Sequence, residues 1–187
     1  MSNLVLAITG ATGAFVADLL LAKSPWPVSL VASDWGQDVL GREGLDLREL
    51  AGRANYSNDD HDLTAPIASG SVPTAGMVIL PCSANTLAKV AHGISDTLIT
   101  RAAHCHLKER RPLILCVRET PWSLIDLNNA AAVASAGGII MPMSPPFYQP
   151  EAGSPDLVSA GELYAAYVDR VLALLGHPAP ATWEDRQ

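Results

Sequence analysis

The stretch from Arg101 to Pro121, RAAHCHLKERRPLILCVRETP, holds five of the twelve Lys and Arg residues in a chain of 187 with formal net charge -7. They are Arg101, Lys108, Arg110, Arg111 and Arg118. The cluster straddles an apolar run, Leu113 to Val117, that reads as a buried strand. A strand closing in Arg118 and Glu119 delivers a fixed cation and a carboxylate to one edge of a sheet. Such a pair can hold a phosphate through charge-assisted hydrogen bonds and move a proton beside it. For Arg110 and Arg111, a solvated basic face at a helix end explains the charge equally well. His104 and His106 flank Cys105, but alternate residues on a helix point well apart and do not make a shared metal site. The cluster Asp59-Asp60-His61-Asp62 reads as a solvated loop.

The elements that must position these groups follow from the hydrophobic pattern. Leu4 to Thr9 reads as a strand broken by Gly10-Ala11-Thr12-Gly13, with a helix from Ala14 to Lys23. Val28 to Ala32 is a second strand, ending in Ser33. Met77 to Leu80 is a third, followed by Pro81-Cys82-Ser83 and a helix from Ala84 to Ala91. Leu113 to Val117 is the fourth. Ser123 caps a helix to about Ala136, closed by Gly137-Gly138. Ile139 to Met141 is a fifth strand, and Glu162 to Leu175 a long amphipathic helix. Strands that are continuously apolar and alternate with helices predict a parallel sheet covered on both faces. The fold class is then three-layer α/β/α, Rossmann-like or flavodoxin-like. We expect one domain over residues 1–176 and a tail, 177–187, that carries Trp183.

In such sheets ligands bind outside the carboxyl ends of the strands. Thr12, Ser33, Ser83 and Arg118 stand there, three hydroxyls and a guanidinium suited to a phosphorylated cofactor. The first loop is G-x-x-G rather than the G-x-G-x-x-G dinucleotide fingerprint, and Ser33 occupies the position where an acidic residue would take a ribose. A mononucleotide such as FMN fits better than NAD.

Hydrophobic residues make up 49% of the chain and charged residues 17%. A surface that apolar predicts burial against copies of itself, a homo-oligomer. The acidic pI near 5.0 argues against nucleic acid and anionic membranes, which need a positive field. Cys82, Cys105 and Cys116 have no zinc or redox spacing, and an odd number fits a reduced cytoplasm. No apolar run approaches the ~20 residues that span a bilayer, and no leader pattern opens the chain.

Five segments in order, AITGATGA (7–14), ASGS (68–71), MVILPCSANTLA (77–88), ITRAAHCHLKERRPLILCVRETPWSLIDLNN (99–129) and MPMSPPFYQP (141–150), closely resemble the UbiX-like flavin prenyltransferases, including their decarboxylase-associated branch. The resemblance implies transfer of a dimethylallyl group from dimethylallyl phosphate or pyrophosphate to N5 and C6 of reduced FMN, without a metal. The product, prenylated FMN, would serve a UbiD-like decarboxylase. It also implies residue roles. Gly10, Ala11, Thr12, Ser33, Ser83, Ala84, Asn85, Thr86 and Arg118 resemble the FMN-binding residues. Ser69, Arg101, Lys108, Tyr148 and Arg170 resemble the prenyl-phosphate pocket, Arg101 from an adjoining subunit. Glu43 and Glu119 match active-site carboxylates, and Trp183 an aromatic that covers the prenyl group. The family assembles as homo-oligomers, commonly dodecamers. Position 12 is Thr where many relatives have Ser, and the Tyr148 to Arg170 spacing is longer than usual. Two other readings stand beside this one: an FMN-binding module that delivers the flavin without chemistry, and a phosphopantothenoylcysteine-decarboxylase-like enzyme. Against the second, Pro142 is followed by Met143-Ser144 rather than Met-Asn.

Overall fold

The computed structural model describes residues 2–144 and 159–178. Its elements are β1 (Asn3–Ile8), α1 (Phe15–Lys23), β2 (Val28–Ala32), α2 (Asp34–Arg42), α3 (Leu47–Arg53), β3 (Tyr56–Asp59), β4 (Thr74–Cys82), α4 (Ala84–Ala91), α5 (Leu98–Lys108), β5 (Leu113–Val117), α6 (Leu124–Ser135), β6 (Ile139–Ile140) and α7 (Ala160–Leu174), with a 3-10 turn at Pro66–Ala68. The six strands form one sheet in the order β3-β2-β1-β4-β5-β6, and every pairing is parallel.

Side-chain alternation along β1 builds the two outer layers. Leu4, Leu6 and Ile8 face one core with α1, α3 and α7. Val5 and Ala7 face the other, with α4, α5 and α6. Both faces of the central strands are therefore dry, which is why their sequences run apolar without a polar alternate. The strand order reverses direction between β1 and β4, so the carboxyl ends of these two strands flank the crevice where such sheets bind ligands. No helix among the described residues is long and apolar enough to cross a membrane.

Three elements escape the hydrophobic pattern. Strand β3, Tyr-Ser-Asn-Asp, is polar and largely exposed. It holds the sheet edge through β2, where the Asn58 amide donates to Ser29 Oγ at 2.9 Å. Helices α2 and α3 are short and begin at polar caps, Ser33 and Asp46, which accept from the Gly36 and Arg48 amides. The strand expected at Met77 to Leu80 is longer, Thr74–Cys82, and is the fourth in chain order.

The acidic cluster at 59–62 is solvated at Asp59, His61 and Asp62, as expected, but not at Asp60. Asp60 is 5% exposed. Its carboxylate accepts from the Ile99 amide at 2.8 Å and its carbonyl from Leu98 at 2.7 Å, so it anchors the start of α5. Burial raises the Asp60 pKa above the ordinary value, partly offset by the Ile99 and Thr97 hydrogen bonds.

Candidate functional site

The loop after β1 is held from three sides. Thr9, the residue that ends the strand's apolar run, is 1% exposed. Its hydroxyl donates to the Pro81 carbonyl at 2.9 Å and accepts from the Ser83 amide at 2.9 Å. One buried hydroxyl thereby joins the ends of β1 and β4. Gly10 lies against α2, where a Cβ would stand 2.6 Å from Trp35 Cβ. Glu43, at the end of α2, reaches back across the loop. Its two carboxylate oxygens accept from the Gly13 and Ala14 amides at 2.7 and 2.8 Å. Ala14 has no capping side chain, so Glu43 supplies the missing cap and an anion at the positive end of α1.

Ser33 and Ser83 are helix N-caps. Ser33 Oγ accepts from the Gly36 amide at 3.1 Å. Ser83 Oγ accepts from the Thr86 amide at 3.3 Å and shares a hydrogen bond with Thr86 Oγ1 at 3.0 Å. The first amides of α4, those of Ala84 and Asn85, have no acceptor within the helix, the condition that favours an anion. Between these caps lies a cleft of about 340 Å³, lined by Thr9, Gly10, Ser33, Ser83, Asn85 and Thr86. Its outer wall adds Trp35, Asp60, His61 and Lys89. His61 faces Asp34 at 3.2 Å, and that hydrogen bond raises the imidazole's pKa.

Arg118 follows β5, and its amide donates to the Cys82 carbonyl at 3.0 Å, next to Ser83. Its Nε is buried and has no hydrogen-bond partner among the described residues. A buried guanidinium donor left unpaired costs free energy and calls for an acceptor beyond the described residues. Glu119, half-buried, accepts from the Thr120 amide at 3.1 Å, and its carbonyl accepts from Trp122 Nε1 at 2.9 Å.

The chain matches the family model described as Flavoprotein over residues 1–172. It is 45% identical over 182 residues to the flavin prenyltransferase UbiX of Deinococcus radiodurans, covering 95% of this chain and 90% of that one. To the UbiX of Thermoplasma acidophilum it is 40% identical over 176 residues, covering 93% and 94%. The chain belongs to the UbiX-like flavin prenyltransferases. Among solved structures, AnUbiX (PadA1) in complex with FMN and dimethylallyl pyrophosphate superposes with a TM-score of 0.88 at 37% identity, over 97% of both chains. A dodecameric FMN-dependent UbiX-like decarboxylase from Escherichia coli gives 0.86 at 35% identity, over 96% of this chain and 98% of that one.

For a member of this flavin-binding family, the cleft has a consistent donor set. Two capped helix starts and a glycine at the tightest approach suit a phosphate tail and a ring system. Arg118, with its unsatisfied Nε, follows the strand beside Ser83 but is not among the residues lining the cleft.

The residues matched to the prenyl-phosphate pocket lie elsewhere in the chain. Lys108 ends α5, and β5 begins at Leu113, so Lys108 sits at the amino edge of the sheet. Arg118 stands at the carboxyl edge, five strand residues away, a span of about 16 Å. Arg101 and Ser69 accompany Lys108 on the α5 side: Arg101 Nε donates to the Ala68 carbonyl at 3.0 Å, and Ser69 Oγ pairs with Ser71 Oγ at 2.8 Å. Arg170 is exposed on α7 and makes no ion pair among the described residues, while its neighbour Asp169 pairs with Lys23 at 2.5 Å. Tyr148 and Trp183 lie outside the described residues.

Cleft residues that the sequence reading missed include Thr9, Trp35, Asp60, His61 and Lys89. Thr9 could have been found, as a hydroxyl closing the apolar run of residues 4–8. His106, singled out beside Cys105, is 1% exposed. It bonds the Ala102 carbonyl through Nδ1 and Thr74 Oγ1 through Nε2, both at 2.7 Å, and burial lowers its pKa.

Proposed function

We propose that the chain transfers a dimethylallyl group from dimethylallyl phosphate or pyrophosphate to reduced FMN, making the prenylated flavin used by a UbiD-like decarboxylase. The observation that carries this reading is its likeness, at 37% identity over 97% of both chains, to a structure holding FMN and dimethylallyl pyrophosphate together. Gly10, Ala11, Thr12, Ser33, Ser83, Ala84, Asn85, Thr86 and Arg118 would hold the flavin. Bound and reduced, FMN supplies the nucleophilic atoms that accept the prenyl group.

The chain's own contribution is electrostatic. Breaking the donor's allylic C–O bond releases a phosphate, and Lys108, Arg101 and Arg170, with Ser69 and Tyr148, neutralise the charge that develops on it. Glu119 offers a carboxylate beside Arg118 to take up the proton the reaction releases. Trp183 presents a π face to the allylic group. Glu43 keeps the flavin loop in shape.

The separation of Lys108 from Arg118 within one chain supports an active site completed by a neighbouring copy. The enzyme works as a homo-oligomer in this reading, and the dodecameric relative supports it. Residues 1–176 serve as a single flavin-binding domain with a C-terminal tail. A cytoplasmic location fits three buried, unpaired cysteines.

The test is direct. Anaerobically reduced, FMN-loaded protein is incubated with dimethylallyl phosphate, and in parallel with the pyrophosphate. The extracted flavin is then examined by mass and absorbance. Gain of one isoprenoid unit is expected; an unchanged flavin with both donors refutes the activity.

A further inference from the structure

Arg111, whose role the sequence left open, is the hub of a second, separate construction. Its Nη1 donates to the Val72 carbonyl at 2.6 Å and its Nη2 to the Gly70 carbonyl at 2.5 Å. Upstream, Arg101 Nε and Cys105 Sγ both donate to the Ala68 carbonyl, at 3.0 and 3.2 Å. Downstream, Thr74 Oγ1 meets His106 Nε2 at 2.7 Å. The carbonyls of residues 68, 70 and 72 thus turn toward α5 and its end. The alternate residues Ser69 and Ser71 remain exposed, with their hydroxyls hydrogen-bonded to each other at 2.8 Å.

Gly70 is the point of closest approach. A Cβ there would stand 2.5 Å from Lys108 Nζ and 2.5 Å from Glu109 Oε1. The glycine leaves a notch that the Lys108–Glu109 ion pair fills. The position of the lysine ammonium therefore depends on where Arg111 holds this segment.

We infer that Arg111 is a positioning residue for the donor phosphate: its two hydrogen bonds fix the stretch from residue 70 to 72 so that the Gly70 notch and the adjoining Ser69 hydroxyl stay in register with Lys108. This rests on the reading of Lys108 as a ligand of the prenyl phosphate. A planar guanidinium suits the task because it spans two carbonyls at once, which a lysine ammonium cannot do in the same geometry.

Kinetics with dimethylallyl phosphate test it. Arg111→Met should raise KM for the donor by about tenfold while kcat and FMN affinity stay within about twofold. Arg111→Lys should recover part of the loss. Gly70→Ala should mimic the KM effect without touching the guanidinium, and it should fold, because its Cβ meets only the ends of flexible side chains. It thus keeps the test open if Arg111→Met fails to fold. In the Lys108→Met background, Arg111→Met should add little. An unchanged KM in Arg111→Met and Gly70→Ala, beside a raised one in Lys108→Met, overturns this inference alone. An unchanged KM in Lys108→Met overturns the donor-site reading and this inference with it. A parallel loss of FMN affinity, kcat and melting temperature in Arg111→Lys makes the residue purely structural and also overturns it.

Discussion

Glu43 accepts a hydrogen bond from the Gly13 amide at 2.7 Å across thirty residues of sequence. The carboxylate that the family resemblance assigns to the active site is also the cap of the first flavin-loop helix. Glu43→Gln keeps one acceptor but turns an amide donor toward the other backbone N–H. We expect a loss of about 1–3 kcal/mol in stability together with weaker FMN binding, measured by denaturant unfolding and flavin titration. Unchanged stability and FMN affinity with slowed turnover would restrict Glu43 to the chemistry.

Arg118 makes the opposite prediction for stability. Its buried Nε has no partner among the described residues, so Arg118→Met removes an unsatisfied donor. The apo-protein should melt no lower than the parent. FMN affinity should fall by about tenfold or more, the range for a hydrogen bond to a charged group. A clear drop in apo stability with FMN affinity intact would assign Arg118 to the scaffold.

The distance between Lys108 and Arg118 can be tested by complementation. Lys108→Met and Arg118→Met are each expected to be poorly active alone. Co-expressed as mixed oligomers, they should regain activity at up to about a quarter of the sites, those drawing Arg118 from one parent and Lys108 from the other. No recovery in verified mixed oligomers would mean that both residues serve one chain's site.

Asp60 sets a pH dependence. Its folded pKa lies above the ordinary 3.8, chiefly through burial, so the native state binds this proton more tightly than the unfolded chain. The group's contribution to stability is full below 3.8 and is lost as pH rises through the folded value. Asp60→Asn keeps an acceptor for the Ile99 amide and carries no charge. Its stability relative to the parent should therefore rise with pH across that window, in urea titrations from about pH 3 to 8. A difference independent of pH would show that Asp60 is not the titrating group.

The buried parts of the fold were legible because burial leaves a pattern. Leu113–Val117 is apolar at every position and Val28–Ala32 at all but Ser29, and the structure gives the same limits. Ser123 announced α6, with a capping box at Asp126. Strand β3 left no such signal, since Tyr56 to Asp59 is polar and earns its place only by pairing with β2. The hydroxyls at the strand ends were legible as a polar rim. The hold of Glu43 on Gly13 was not, because nothing local in either segment encodes a contact thirty residues away. Asp60 misled for a related reason: a run of acids reads as solvated until one of them finds a helix start to cap.

Arg110, the residue after the helix-capping Glu109, has φ 55. The hydrogen bonds from Arg110 N to Leu107 O and from Arg111 N to His106 O close α5 in the pattern that favours glycine at this position. A side chain in this left-handed conformation costs about 1 kcal/mol. The corner that aims Arg111 thus carries unclaimed thermal tolerance. Arg110→Gly would relax it without altering a single hydrogen bond of the clamp, which makes that position the natural starting point for a heat-resistant form of the protein.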